Sequence, residues 1–303
     1  MDWSHESLWL KAKLYATRAA EQDRQTPLFG FWSALTLELL GRSALASVHP
    51  SLLADPRGDD VLYAVGFQST SPPKSVPAKT VFNRCVVVID NFTEDDFKSA
   101  QAFMMRRNAE LHSGALAFDS FPTAVWLAEY YRLCDLLLRA QNKTLGRLFG
   151  GEEAKAARRM IRAAATDMRK RVLDSVSARR KEFEVLPEAD RAERRAALPL
   201  VFKLPANGRR IECPACKSRE YMEGKTVRSS AARLEEDDVV IETVALPVRF
   251  ECRVCGLRLI GHSALHAAGL GGQYTHREVW DAFDYYDRGD QQPEYYEPDY
   301  GND

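Results

Sequence analysis

The chain has 303 residues, long enough for two domains that each bury a core. Hydrophobic residues make up 45% and charged residues 28%, a globular composition, and a formal net charge of -1 excludes a global field that would recruit an anionic partner. No apolar run approaches the roughly 20 residues that span a bilayer, and the start, Met1-Asp2-Trp3-Ser4-His5-Glu6, lacks the basic-then-apolar pattern of a secretory signal.

That neutrality is unevenly distributed. Between residues 152 and 210, 16 Lys or Arg stand against 9 Asp or Glu, whereas residues 281–303 carry 8 acids and the single Arg288. The basic middle suits a polyanion or a solvated helix laced with intrahelical ion pairs. The tail places Tyr285, Tyr286, Tyr295, Tyr296 and Tyr300 among its acids and is expected to be disordered.

In chain order, Leu8, Ala12, Tyr15 and Ala19 recur at helical spacing and predict a first helix, with Leu10 and Leu14 on another of its sides. A second helix is expected over 29–48, with Trp32, Leu35, Leu39 and Ala46 aligned, ending at His49-Pro50 because a residue before proline leaves the helical region. Pro72, Pro73 and Pro77 make 68–80 a loop. Val86-Val87-Val88-Ile89 reads as a short strand or a buried turn.

A third helix opens at Thr93, an expected N-cap, with Glu94, Asp95 and Asp96 bringing negative charge to its first turn. Phe97, Ala100, Met104 and Leu111 continue it, and Gly114 is the expected C-cap. Pro122 starts a fourth helix over 123–141, with Trp126, Tyr130, Leu133 and Leu137 on its apolar face. A charged helix follows over 152–183, with a narrow stripe of Ala157, Ile161, Ala164, Met168 and Val172.

Four of the six cysteines form two pairs, Cys213-Pro214-Ala215-Cys216 and Cys252-Arg253-Val254-Cys255. A two-residue gap lets both sulfurs of one turn reach one ion, and two such turns complete a tetrahedron. One redox Cys-x-x-Cys would account for one pair but not for two. β-prone residues over 239–248 and an acidic turn over 235–238 lie between the pairs, so a zinc ribbon is expected, with Gly256 supplying positive φ after the second pair. Four protein ligands leave no open position, which makes the zinc structural. His262, His266 and His276 are then surface or packing residues, and Cys85 and Cys134 small core residues. Thiols used in this way suit a reducing compartment, and the expected location is the cytoplasm.

Catalytic chemistry is concentrated at Arg106-Arg107-Asn108-Ala109-Glu110-Leu111-His112. Asn108 and His112 are four apart and share a helix face; Arg107 and His112 lie about 140° apart on an ideal helix and meet more easily across two chains. A titrating imidazole and a planar cation suit RNA cleavage by the neighbouring 2′-hydroxyl: His112 moves the proton, Arg107 stabilises the phosphorane, and Asn108 orients the phosphate or His112. Glu38, among Leu37, Leu39 and Leu40, is a further candidate, either facing the cleft or sitting at the edge of the core.

Arg107-Asn108-x-x-x-His112, preceded by a helix pair and followed by an apolar helix, resembles the Arg-x4–6-His motif of the HEPN superfamily over about residues 1–150. Arg106 also stands at a permitted spacing from His112, so the arginine assignment is open between the two. The resemblance implies a helical bundle, homodimerisation that brings two motifs into one cleft, and metal-independent endoribonuclease activity, in many such proteins that of a toxin or a phage-defence effector with an antitoxin or defence-system partner. Two other readings are a non-catalytic HEPN dimerisation or nucleic-acid-binding adaptor and a zinc-ribbon DNA-binding regulator. The expected architecture is a mainly α HEPN-like domain over 1–150, a charged helical linker over 151–205, a small β zinc ribbon over 206–280 and an acidic tail over 281–303.

Overall fold

A computed structural model of the chain describes residues 2–57, 59–68, 72–197 and 207–287. The chain divides into two compact units, Met1–Asp174 and Ser175–Asp303. The first is helical and the second is built on an antiparallel sheet, in keeping with the expected pairing of a helical with a small β domain. Among the described residues no helix is long and apolar enough to cross a membrane.

In the first unit, α1 (His5–Ala20) and α2 (Pro27–Val48) are followed by a 3-10 turn at Pro50–Leu53 and a short α3 (Asp60–Ala64). Then come α4 (Ala78–Val88), α5 (Glu94–His112), α6 (Thr123–Arg139) and α7 (Leu145–Phe149). The 34-residue α8 (Gly151–Glu184) carries residues of both units.

The central helix is α2, which packs on α1, α4, α5 and α6. Because neighbours surround it, its buried residues are not one stripe: Leu37, Leu40, Ala44 and Leu45 are fully buried, whereas of the expected line of Trp32, Leu35, Leu39 and Ala46 only Ala46 is buried and the other three are partly exposed. Each large aliphatic side chain removed from water there contributes about 1.5–3 kcal/mol. On α1, Leu8, Ala12 and Ala19 are buried with Trp9 and Ala16, while Leu10 and Leu14 are exposed. An aromatic group of Phe29, Phe103, Phe121, Trp126 and Tyr130 closes the core between α2, α5 and α6. Cys85 and Cys134 are buried in this unit, as expected.

The valine run departs from its expected strand or turn. Residues Ala78–Val88 form a helix because Val81, Phe82 and Cys85 fall on one helical face and bury completely, leaving Val87 75% exposed. Tertiary burial overrides the local preference of β-branched residues. The proline-rich loop is accordingly shorter and gives way to α4 at Ala78.

At α5 the expected N-cap is present as a full capping box: Thr93 Oγ1 accepts from the Asp96 N–H, and the Thr93 N–H donates to Asp96 at 2.6 Å. Asp96 is buried and also pairs with Arg132 of α6. The other end differs from expectation. Ser113, in extended conformation, is the C-cap, with its N–H and hydroxyl both donating to the Ala109 carbonyl, so Gly114 is not needed for a left-handed cap.

The second unit includes α9 (Glu188–Ala196) and the strands β1 (Arg209–Glu212), β2 (Arg219–Ser229), β3 (Arg233–Glu235), β4 (Asp238–Glu251), β5 (Arg258–Ile260) and β6 (Tyr274–Asp281). Two short helices, α10 (His262–Ala267) and α11 (Ala282–Asp287), flank β6. β4 is the spine, antiparallel to β2 and β3 along one edge and to β6 and β5 along the other. Phe250 thus stands between Met222 and Leu259, and Val240 between Arg233 and Val279. The acidic turn expected over 235–238 joins β3 to β4, with Glu236 at positive φ. Residues 281–287 complete β6 and form α11; the rest of the expected disordered tail, with Tyr295, Tyr296 and Tyr300, lies outside the described residues.

Gly224 is required by a close approach rather than by its own backbone angle. It lies opposite Pro247, where the β2–β4 register shifts, and a Cβ there would stand 2.0 Å from the Tyr274 hydroxyl oxygen. That hydroxyl donates to the Asn207 carbonyl at 2.6 Å. Gly224→Ala is therefore expected to displace Tyr274 and destabilise the β unit by about 1–3 kcal/mol in urea unfolding. Adding Tyr274→Phe, which removes the clashing oxygen, should recover part of that loss.

Candidate functional site

The four cysteines of the expected metal site converge. Cys213–Cys216 turns between β1 and β2, Cys252–Cys255 turns between β4 and β5, and the four sulfurs lie within 4.8 Å of one another. The two turns are built alike. The Cys213 N–H donates to the Ser218 carbonyl and the Lys217 N–H to Cys213, just as Cys252 donates to Leu257 and Gly256 to Cys252. The residue after each second cysteine takes positive φ: Gly256, as expected, and Lys217 in the other turn.

Across the two turns the sulfurs stand 3.7 Å apart for Cys213–Cys255 and 3.5 Å apart for Cys216–Cys252. A tetrahedral ion with metal–sulfur bonds of about 2.3 Å sets its sulfurs about 3.8 Å apart, so the arrangement fits four thiolates around one ion such as zinc. Their mutual hydrogen bonds divide the thiols. Cys216 pushes the Cys213 thiol up, Cys252 and Cys255 more than offset it, and Cys213 is lowered to about 7. Cys216 is also lowered, by Cys213 above all, while Cys252 and Cys255 are raised. Four thiolates this close repel unless a cation neutralises them. Glu220, missed in the sequence, ties the turns together: buried in β2, it accepts from the Arg253 backbone N–H at 2.9 Å and from its guanidinium at 2.8 Å. The histidines are not in the sulfur cluster.

In the helical unit, α5 presents the Arg106–His112 segment. Arg106 turns to Phe121, its guanidinium carbon 3.6 Å from the ring centre, and donates to the Ala102 carbonyl. Arg107 instead reaches α2, where Nη2 meets Glu38 Oε2 at 2.7 Å. Glu38 is shared: Arg42, one turn along α2, holds its other oxygen at 2.8 Å. Arg42 also donates to Ser75 Oγ and the Val76 carbonyl, fixing the group against the segment before α4. The side chains of Arg107, Arg42 and Glu38 are 16%, 15% and 13% exposed, so these are largely desolvated charges.

Two cations and one carboxylate leave a local surplus of one positive charge. Arg107 Nε is buried without a hydrogen-bond partner among the described residues, an unspent donor on the same guanidinium. Asn108 and His112 are exposed, the latter as the last residue of α5. The structure thus brings Glu38 and Arg107 together and sets Arg106 apart. Arg42 was missed in the sequence, although its spacing of four from Glu38 is the signature of a helical ion pair.

Compared with protein-family models, curated proteins and solved structures, the chain matches none significantly. The class of protein therefore rests on the fold and on these two sites: a helical unit with a largely buried Arg–Glu–Arg group, and a β unit with a four-cysteine cluster that could hold a metal ion such as zinc.

Proposed function

We propose that the chain is an endoribonuclease of HEPN type, acting without a catalytic metal, whose β unit is a ribbon held by structural zinc. The observation that carries this reading is Arg107 fixed by Glu38 on the helix that ends in an exposed His112. Glu38 and Arg42 orient the guanidinium and Arg107 offers charge to the phosphorane. His112 takes the proton from the 2′-hydroxyl as that oxygen attacks phosphorus, or returns one to the leaving 5′-oxygen. The P–O5′ bond breaks, leaving a 2′,3′-cyclic phosphate and a 5′-hydroxyl. Because Arg107 and His112 lie about 140° apart on one helix, a second copy of the chain would bring them to a common groove.

The test uses zinc-loaded protein passed over chelating resin to remove free divalent ions, incubated with total RNA. Cleavage with cyclic-phosphate ends is expected, falling by about 10²–10³-fold in Arg107→Ala and His112→Ala, with Arg106→Ala much less affected. Equal cleavage by wild type and Arg107→Ala would sink the proposal. Arg107's engagement within its own chain favours one other reading, a nucleic-acid-binding adaptor, for which wild type would bind RNA and leave it intact.

A further inference from the structure

A second site stands apart from the α5 group. A cavity of about 410 Å³ opens between α1, α2, α6, α7 and the start of α8. Its volume is within the range of small-molecule pockets. One wall is aromatic, made by Phe29, Tyr130, Tyr131 and Phe149. One polar side chain that lines it, Ser33, is fully buried, yet its Oγ makes no hydrogen bond among the described residues. A buried polar group without a partner is costly, about 1–3 kcal/mol, and one that lines a cavity points to a ligand that satisfies it.

The charges of the cavity give the sign of that ligand. Glu153, its acid, is committed: Arg24 holds it at 2.5 Å and Tyr131 donates to its other oxygen. Burial, with Glu153 beside it, pushes the Tyr131 hydroxyl well up, so it stays a donor. Lys13 of α1 and Arg147 of α7 are exposed at the rim, and neither meets a carboxylate among the described residues. Two unmatched cations therefore face a cavity with an aromatic wall and one unpartnered hydroxyl.

We propose that this cavity binds a small aromatic anion, its ring against Phe29 and Phe149, a polar group at Ser33, and its anionic group between Lys13 and Arg147. A planar ring packs edge or face against aromatic side chains, and a charge-assisted hydrogen bond at the rim fixes its direction. The site stands whether or not the chain cuts RNA, because its readout is binding alone.

The probe is anilinonaphthalene sulfonate, an aromatic ring system bearing one sulfonate, titrated into the full chain and followed by fluorescence. Saturable binding of one probe per chain is expected. N-phenylnaphthylamine, the same ring system without the sulfonate, should bind about tenfold more weakly or worse, as should the sulfonate with Lys13→Glu. Ala20→Trp, placed at the exposed end of α1 where its indole fills the mouth, should abolish binding with an unchanged melting temperature. Absence of saturable binding, equal affinity for the neutral probe, or unaltered binding by Ala20→Trp would each overturn the assignment.

Discussion

Exchanging Cys252 for serine is expected to unfold the β unit and leave the helical unit standing. Structural zinc sites of this kind contribute about 10–16 kcal/mol of apparent binding free energy, as much as the whole stability of an ordinary small domain. The core they support is modest. Met222, Val240, Phe250, Leu259 and Leu265 are buried in the sheet unit, but strand β3 is exposed throughout and β6 is buried only at Tyr274. The four sulfurs lie within 4.8 Å of each other, and as thiolates they would repel without an ion's charge between them. Elemental analysis of wild-type protein should find one zinc per chain, and Cys252→Ser should hold far less. Hydrogen exchange should then lose protection across the β2–β4 register while α2 and α6 keep theirs. Full protection of β4 in Cys252→Ser, or in wild type stripped by a strong chelator, would remove the metal from the account of this fold.

How far the sequence anticipated this structure depends on whether the deciding interactions are local. The start of α5 is readable because Thr93 and Asp96 satisfy each other's backbone within one turn. The cysteine turns are readable because two Cys-x-x-Cys pairs have the spacing that converging on one ion calls for, and the four sulfurs do converge. By contrast α4 is hidden: Val86 to Ile89 favour a strand by local preference, and only packing of Val81, Phe82 and Cys85 in the core decides for helix. The residues of α2 facing the core were equally hidden, since a helix surrounded by neighbours has no single apolar face. At the candidate site the motif residues were visible, but the choice between Arg106 and Arg107 was not. That choice rests on Glu38 and Phe121, distant in sequence, which draw the two guanidiniums to different sides of α5. The orphan hydroxyl of Ser33 leaves no trace in the sequence, because any buried serine reads as satisfied core.

Glu38→Gln should cost the helical unit more stability than Arg107→Ala, although Arg107 is the residue proposed to act on RNA. Removing the carboxylate leaves Arg42 and Arg107 converging on a neutral amide in a largely desolvated place, and breaking buried pairs in this way costs about 3–5 kcal/mol. With 13–16% of these side chains still exposed, about 2–4 kcal/mol is the expected loss, read as a lower urea midpoint. Arg107→Ala is milder because Glu38 keeps Arg42, itself held by Ser75 and Val76. Cleavage should rank the other way, with Arg107→Ala the more damaged and Glu38→Gln retaining part of its activity through a misdirected but present guanidinium. The double variant should lose less stability than the sum of the two, by about 1–3 kcal/mol, because the partners are in direct contact. A stabilising carboxylate and an acting cation predict opposite rankings in the two measurements. If stability and cleavage fall in the same order across both variants, Arg107 is part of a structural tie between α2 and α5, and the nuclease reading loses its central residue.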